Sequence, residues 1–157
     1  MGKFVAIALL ALVALAPLKA GAAEKGGLPK GYEKWEKSKQ QVVTDKKSLF
    51  YGIHYTYVDK KALKGYRTGG PYPEGSSFVV VQYGIKEVGG KPVEGKKQMI
   101  VLMKKDKSFQ KTGGWQYAGF NAEGRPSGID PVQNCYECHL KTAKESDFVI
   151  SKFADFK

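Results

Sequence analysis

Apolar and polar residues alternate along most of the chain after residue 48. From Leu49 to Val58 the two-residue period puts Phe50, Gly52, His54, Thr56 and Val58 on one face and Tyr51, Ile53, Tyr55 and Tyr57 on the other. That period, with β-branched and aromatic residues, predicts a strand. Ser77 to Val88 predicts a second, ending at the Gly89-Gly90 turn, with Phe78, Val80 and Gln82 opposed to Val79, Val81 and Tyr83. Gln98 to Lys104 predicts a third, with Met99, Val101 and Met103 opposed to Ile100 and Leu102, and Trp115 to Phe120 a fourth. Short helices are expected over Tyr32 to Gln40, over Lys60 to Tyr66 behind an Asp59 cap, and over Pro131 to Lys144 behind Asp130. Gly and Pro make a loop of Thr68 to Gly75, and Asn121 to Gly128 is a second loop. The apolar tail Phe148 to Phe156 is expected to pack back onto the sheet. The fold class is mainly β (α+β): an antiparallel sheet with a few short helices, without internal repeats.

The third predicted helix carries Cys135-Tyr136-Glu137-Cys138-His139, the C-x-x-C-H attachment signature of a c-type haem. Two thiols on one helical turn can each add to a vinyl group of one porphyrin. The adjacent His139 then presents its imidazole to the iron. A structural disulfide is a poor alternative, because so small a loop gives little loop-closure stabilisation. A thioredoxin-like redox pair belongs ahead of much βαβ chain, whereas only 19 residues follow Cys138. Zinc would need further ligands, and the chain has two Cys and two His in all. One covalently attached haem c is the expected cofactor, with His139 as its metal ligand.

Met1 to Ala22 reads as a secretory signal peptide: Lys3, then an apolar run from Phe4 to Ala16, then the A-x-A pattern of Ala20-Gly21-Ala22. Cleavage near Ala22 leaves residues 23 to 157 as a single domain of 135 residues, exported to the periplasm, where c-type haems mature. The whole chain carries +11; the signal holds Lys3 and Lys19, so the mature part carries +9. Its only arginines are Arg67 and Arg125, and lysine dominance describes a solvated basic surface rather than bidentate phosphate recognition. Nucleic acid is not expected as a partner in this compartment, while a basic face could steer an acidic redox partner protein or lie near anionic lipid.

Several stretches in order resemble one family. They are Leu28-Pro29-Lys30-Gly31-Tyr32 with Trp35, Tyr55-Thr56-Tyr57-Val58, Tyr66 to Gly75, Gly114-Trp115-Gln116-Tyr117, and Cys135 to His139 followed by Phe148-Val149. Together they span nearly all of the mature chain and resemble cytochrome P-460 and its relative cytochrome c′-beta. The resemblance implies a mostly β, homodimeric haem protein with five-coordinate iron. In the P-460 branch a strand lysine is crosslinked to the porphyrin and a glutamate on the next strand accepts a proton during hydroxylamine oxidation. Here those positions fall on Val80 and Val101; Lys86 and Lys104 lie toward strand ends.

Loss of both groups favours the c′-beta branch, with Phe50 and Phe78 over the iron and an apolar distal pocket that binds NO or CO for transport, buffering or detoxification. His54 takes a position where the P-460 branch has arginine. It could be a sixth ligand, a pocket residue, a propionate contact or an ordinary sheet residue. Met99 and Met103 are the other candidate sixth ligands, against core packing. Trp115 and Tyr117 are expected to wall the haem or the sheet core, and Arg67 could reach a propionate. Two alternatives stay open: a P-460-like oxidation of hydroxylamine or NO, and a six-coordinate electron carrier.

Overall fold

The computed structural model describes residues 27–157. The expected signal peptide, residues 1–22, lies outside the described residues. Six strands form one antiparallel sheet: β1 (Glu36–Lys37), β2 (Gln41–Val43), β3 (Gly52–Val58), β4 (Ser77–Val88), β5 (Lys91–Lys105) and β6 (Trp115–Asn121). The order is β1-β3-β4-β5-β6, with β2 also on β3. Two α-helices, α1 (Lys60–Thr68) and α2 (Glu137–Ala143), complete the frame. The expected mainly β class is what is found.

The face assignments hold across the sheet, because a two-residue period propagates through antiparallel register. Thr56 opposes Val80, which opposes Val101; Val58 opposes Phe78, which opposes Met103 and then Tyr117. One face gathers Val58, Phe78, Met99, Val101, Met103, Trp115 and Tyr117. The other gathers Ile53, Tyr55, Tyr57, Val79, Val81, Ile100, Leu102 and Phe120. Ile53, Val79 and Leu102 are at most 1% exposed, and burying each side chain contributes about 1.5–3 kcal/mol.

Three expectations change. The helix over Tyr32 to Gln40 is a single 3-10 turn, Tyr32–Lys34, and the chain then extends into β1 and β2. These two short strands lie end to end along one edge of β3, with Ser38 in the gap. Ser38 N–H donates to Thr56 O (2.9 Å) and Thr56 N–H donates to Ser38 Oγ (2.9 Å), so the edge stays paired where the backbone ladder breaks. Local periodicity could not disclose this, since the pairing depends on β3.

The first predicted strand begins at Gly52 rather than Leu49. Ser48 turns the chain there, accepting Phe50 N–H at Oγ (3.1 Å) and Tyr51 N–H at its carbonyl (3.0 Å). β5 starts at Lys91, well before Gln98, because the Gly89-Gly90 turn has positive φ at both residues (59° and 72°) and continues the hairpin into a mostly exposed polar arm.

The remaining elements follow their local signals. Asp59 Oδ1 accepts Ala62 N–H (2.7 Å) to cap α1. Asp130 Oδ1 accepts from Val132 and Gln133 N–H (2.8 and 3.0 Å) to start the last helical segment. That segment opens with a π-turn, Val132–Tyr136, before α2. The tail returns to the body: Val149 is buried in the first core, and Asp155 O accepts Lys39 N–H (2.7 Å).

Candidate haem site

A cavity of ≈ 500 Å³ lies between the helical segment and the first face of the sheet, within the size range of small-molecule and cofactor sites. Its sheet side is made by His54 and Thr56 of β3, Phe78 and Val80 of β4, Val101 and Met103 of β5, and Tyr117 of β6. Cys135, Cys138 and His139 face it from the helical side, and Phe50 also lines it. All eight residues selected from the sequence (Cys135, Cys138, His139, Phe50, His54, Phe78, Val80 and Val101) therefore meet in one cavity. The strands place their residues by alternate-residue register. The π-turn and α2 place the C-x-x-C-H residues, with Cys135 buried and Cys138 exposed.

Cys135 and Cys138 are not bridged to each other by a disulfide. Burial, with Asp130 and Cys138 adding, pushes the Cys135 thiol up to about 11, so it stays protonated at neutral pH. His139 Nδ1 lies 2.6 Å from Phe148 O. A carbonyl only accepts, so Nδ1 carries the proton and the Nε2 lone pair is left for a metal. Burial lowers the His139 pKa, with the Phe148 bond opposing, and this favours the neutral ring that ligation needs. Tyr117 packs edge-on against His139, with ring centroids 5.1 Å apart.

Two buried polar atoms of the cavity wall, His54 Nε2 and Tyr117 Oη, have no hydrogen-bond partner among the described residues. Such atoms are costly unless something in the cavity meets them. An apolar chamber with two thiols, one imidazole lone pair and two unmet polar atoms fits a covalently held porphyrin.

The family comparison agrees with this chemistry: the cytochrome P-460 family model matches residues 29–151. The chain belongs to the cytochrome P-460 family. Membership brings a haem cofactor with it, and the C-x-x-C-H residues stand where the cavity can receive one. No curated protein sequence matches the chain.

Within this cytochrome P-460 fold, other sequence candidates separate. Met103 lines the cavity, but Met99 does not. Trp115 is wholly buried among Tyr72, Phe78 and the sheet rather than in the cavity wall. Neither Arg67 nor Lys86 nor Lys104 lines the cavity. Conversely, sequence reasoning missed Gln41, Val43, Asn134 and the tail residues Ile150, Ser151, Lys152 and Asp155. Only the tail's apolar character hinted that it packs inward, and its polar members carry no motif.

His54 is 5% exposed. Burial lowers its pKa from 6.5, with a hydrogen bond to the Phe50 backbone opposing. The unfolded chain therefore binds a proton more readily than the folded one, and stability falls as pH drops below about 6.5 toward the depressed folded value. Wild-type protein is expected to lose thermal midpoint more steeply between pH 7.5 and 5.5 than His54→Leu. Parallel slopes would show that His54 does not contribute to this loss.

Proposed function

We propose that the chain is a periplasmic, homodimeric monohaem cytochrome of the c′-beta type that binds NO or CO at five-coordinate haem c. Cys135 and Cys138 hold the haem covalently, and His139 Nε2 ligates its iron. Phe50, Phe78, Val80, Val101 and His54 shape the ligand side. The observation carrying this reading is the apolar strand wall of the cavity: Val80 and Val101 stand on adjacent strands, paired in register, where a lysine and a carboxylate would serve an oxidase. Without a lysine or carboxylate at these two strand positions, the strand wall gives little help to proton-coupled chemistry and suits small neutral diatomics. NO transport, buffering or detoxification is the role this supports, with an acidic redox partner matched to the lysine-rich surface.

The rival reading, oxidation of hydroxylamine or NO, draws on Lys152 and Asp155, a lysine and a carboxylate that the tail brings to the cavity wall. A six-coordinate electron carrier draws on His54 Nε2 and Met103. The ferrous optical spectrum with and without CO separates all three. A high-spin spectrum that shifts with CO is the expected result. A strongly red-shifted Soret band, with an extra lysine–porphyrin bond in the mass of the haem peptide, would favour the oxidase. A low-spin spectrum indifferent to CO would overturn the gas-binding reading.

A further inference from the structure

We infer that Asp147 is the positioning residue for His139: its carboxylate locks the turn whose next carbonyl holds the imidazole. The inference rests on His139 being the iron ligand, as proposed above, and extends it to the group that sets the ligand's orientation and basicity.

Asp147 and Phe148 are consecutive and both left-handed, with φ of 51° and 65°; no other non-glycine residue among the described residues has positive φ. An aromatic side chain rarely takes this conformation, and two in succession persist only where surrounding contacts impose them. Those contacts converge on the Asp147 carboxylate. Its Oδ2 accepts Tyr72 N–H (3.0 Å), from the loop after α1. Its Oδ1 accepts from Lys105 Nζ at the end of β5 (2.6 Å) and from Trp115 Nε1 at the start of β6 (3.4 Å). The Lys105 ammonium also lies 4.7 Å from the Trp115 ring centroid.

Every partner is a donor, so the site needs an acceptor at both oxygens, which a carboxylate supplies and an amide does not. The Lys105–Asp147 pair is largely shielded, with both side chains 17% exposed, and is screened by solvent less than a surface pair.

Phe148 then has its position fixed from three sides. Its N–H donates to Ala143 O (2.7 Å), closing α2. Its ring lies against Gly113, where a Cβ would come within 2.4 Å of the ring, so this packing requires glycine. Its carbonyl is left facing His139 Nδ1–H at 2.6 Å. Acceptors on the outer nitrogen of a ligating histidine fix its tautomer and raise its basicity. Asp147 thus reaches the ligand through one peptide unit, without touching the cavity.

The test uses the full-length haem-loaded protein and its Asp147→Ala, Asp147→Asn and Ile53→Val variants. The pyridine haemochrome reports covalent haem, the midpoint potential reports ligand basicity, and paramagnetic proton NMR of the ferric protein reports exchange of the His139 Nδ1–H. Asp147→Ala is expected to raise the midpoint potential and speed that exchange. Asp147→Asn, which keeps one acceptor and tolerates the left-handed backbone, is expected to move both in the same direction by less. Ile53→Val, a loss of packing on the far face of the sheet, is expected to lower the thermal midpoint and leave both unchanged. Intact haem c with unmoved potential and exchange in Asp147→Ala would overturn the inference while leaving the proposed function standing; should that variant not mature, the same null result in Asp147→Asn would overturn it. Wild-type protein without a haem c haemochrome would overturn both.

Discussion

His139→Ala is expected to retain covalent haem and to lose the native ferrous spectrum. The two kinds of attachment are chemically separate. In the proposed site the thioethers would come from Cys135 and Cys138, which reach the cavity from the π-turn and from α2, and neither would depend on the imidazole. Ligation by His139 would depend on Nε2 alone, because Nδ1 is committed to Phe148 O at 2.6 Å. Alanine removes the ligand and leaves the Phe148 carbonyl without its donor, a loss of about 1–3 kcal/mol if the group stays buried. The mass of the purified variant should still include the haem, and added imidazole should restore much of the spectrum by occupying the vacated space. A native spectrum in His139→Ala without imidazole would remove His139 as the iron ligand, and attention would pass to His54 and Met103.

The second large effect is expected from Phe78→Ala, and it divides into two measurements. Phe78 is 3% exposed. Its ring meets Tyr66, Tyr72 and Trp115 at centroid distances of 5.8, 5.4 and 5.8 Å, all edge-on. Truncating a buried phenylalanine costs about 3–5 kcal/mol, which for a chain of this size lowers the thermal midpoint on the order of 10 °C. The same side chain lines the cavity, so its removal should also speed CO and NO association after flash photolysis. A lower midpoint with unchanged association kinetics would leave Phe78 a core residue only, and the ligand side would rest on Phe50, Val80 and Val101.

The placement of these side chains around the cavity was legible from the sequence to unequal degrees. C-x-x-C-H carries its chemistry in its spacing, because both thiols and the imidazole must serve one porphyrin, and that constraint is local. The alternation in Leu49 to Val58, Ser77 to Val88 and Gln98 to Lys104 likewise separated the residues of the two sheet faces, including Val80 and Val101 on the cavity side. Trp115 was ambiguous between haem wall and sheet core. Its position depends on Tyr72 from the loop after α1 and Phe78 from β4, which no window around Trp115 contains.

The sequence by itself determined the sheet, its two faces, the caps at Asp59 and Asp130, and the thiol–thiol–imidazole set. Each follows from periodicity or short-range hydrogen bonding, which act within a few residues along the chain. Only the tertiary structure decided how β1 and β2 share one edge of β3, which tail residues line the cavity, and what holds His139. Ser38 answers to Thr56, Lys39 to Asp155, and Asp147 to Tyr72, Lys105 and Trp115. These are polar contacts between residues far apart in the chain, and their partners exist only once hydrophobic packing of the sheet has brought them together.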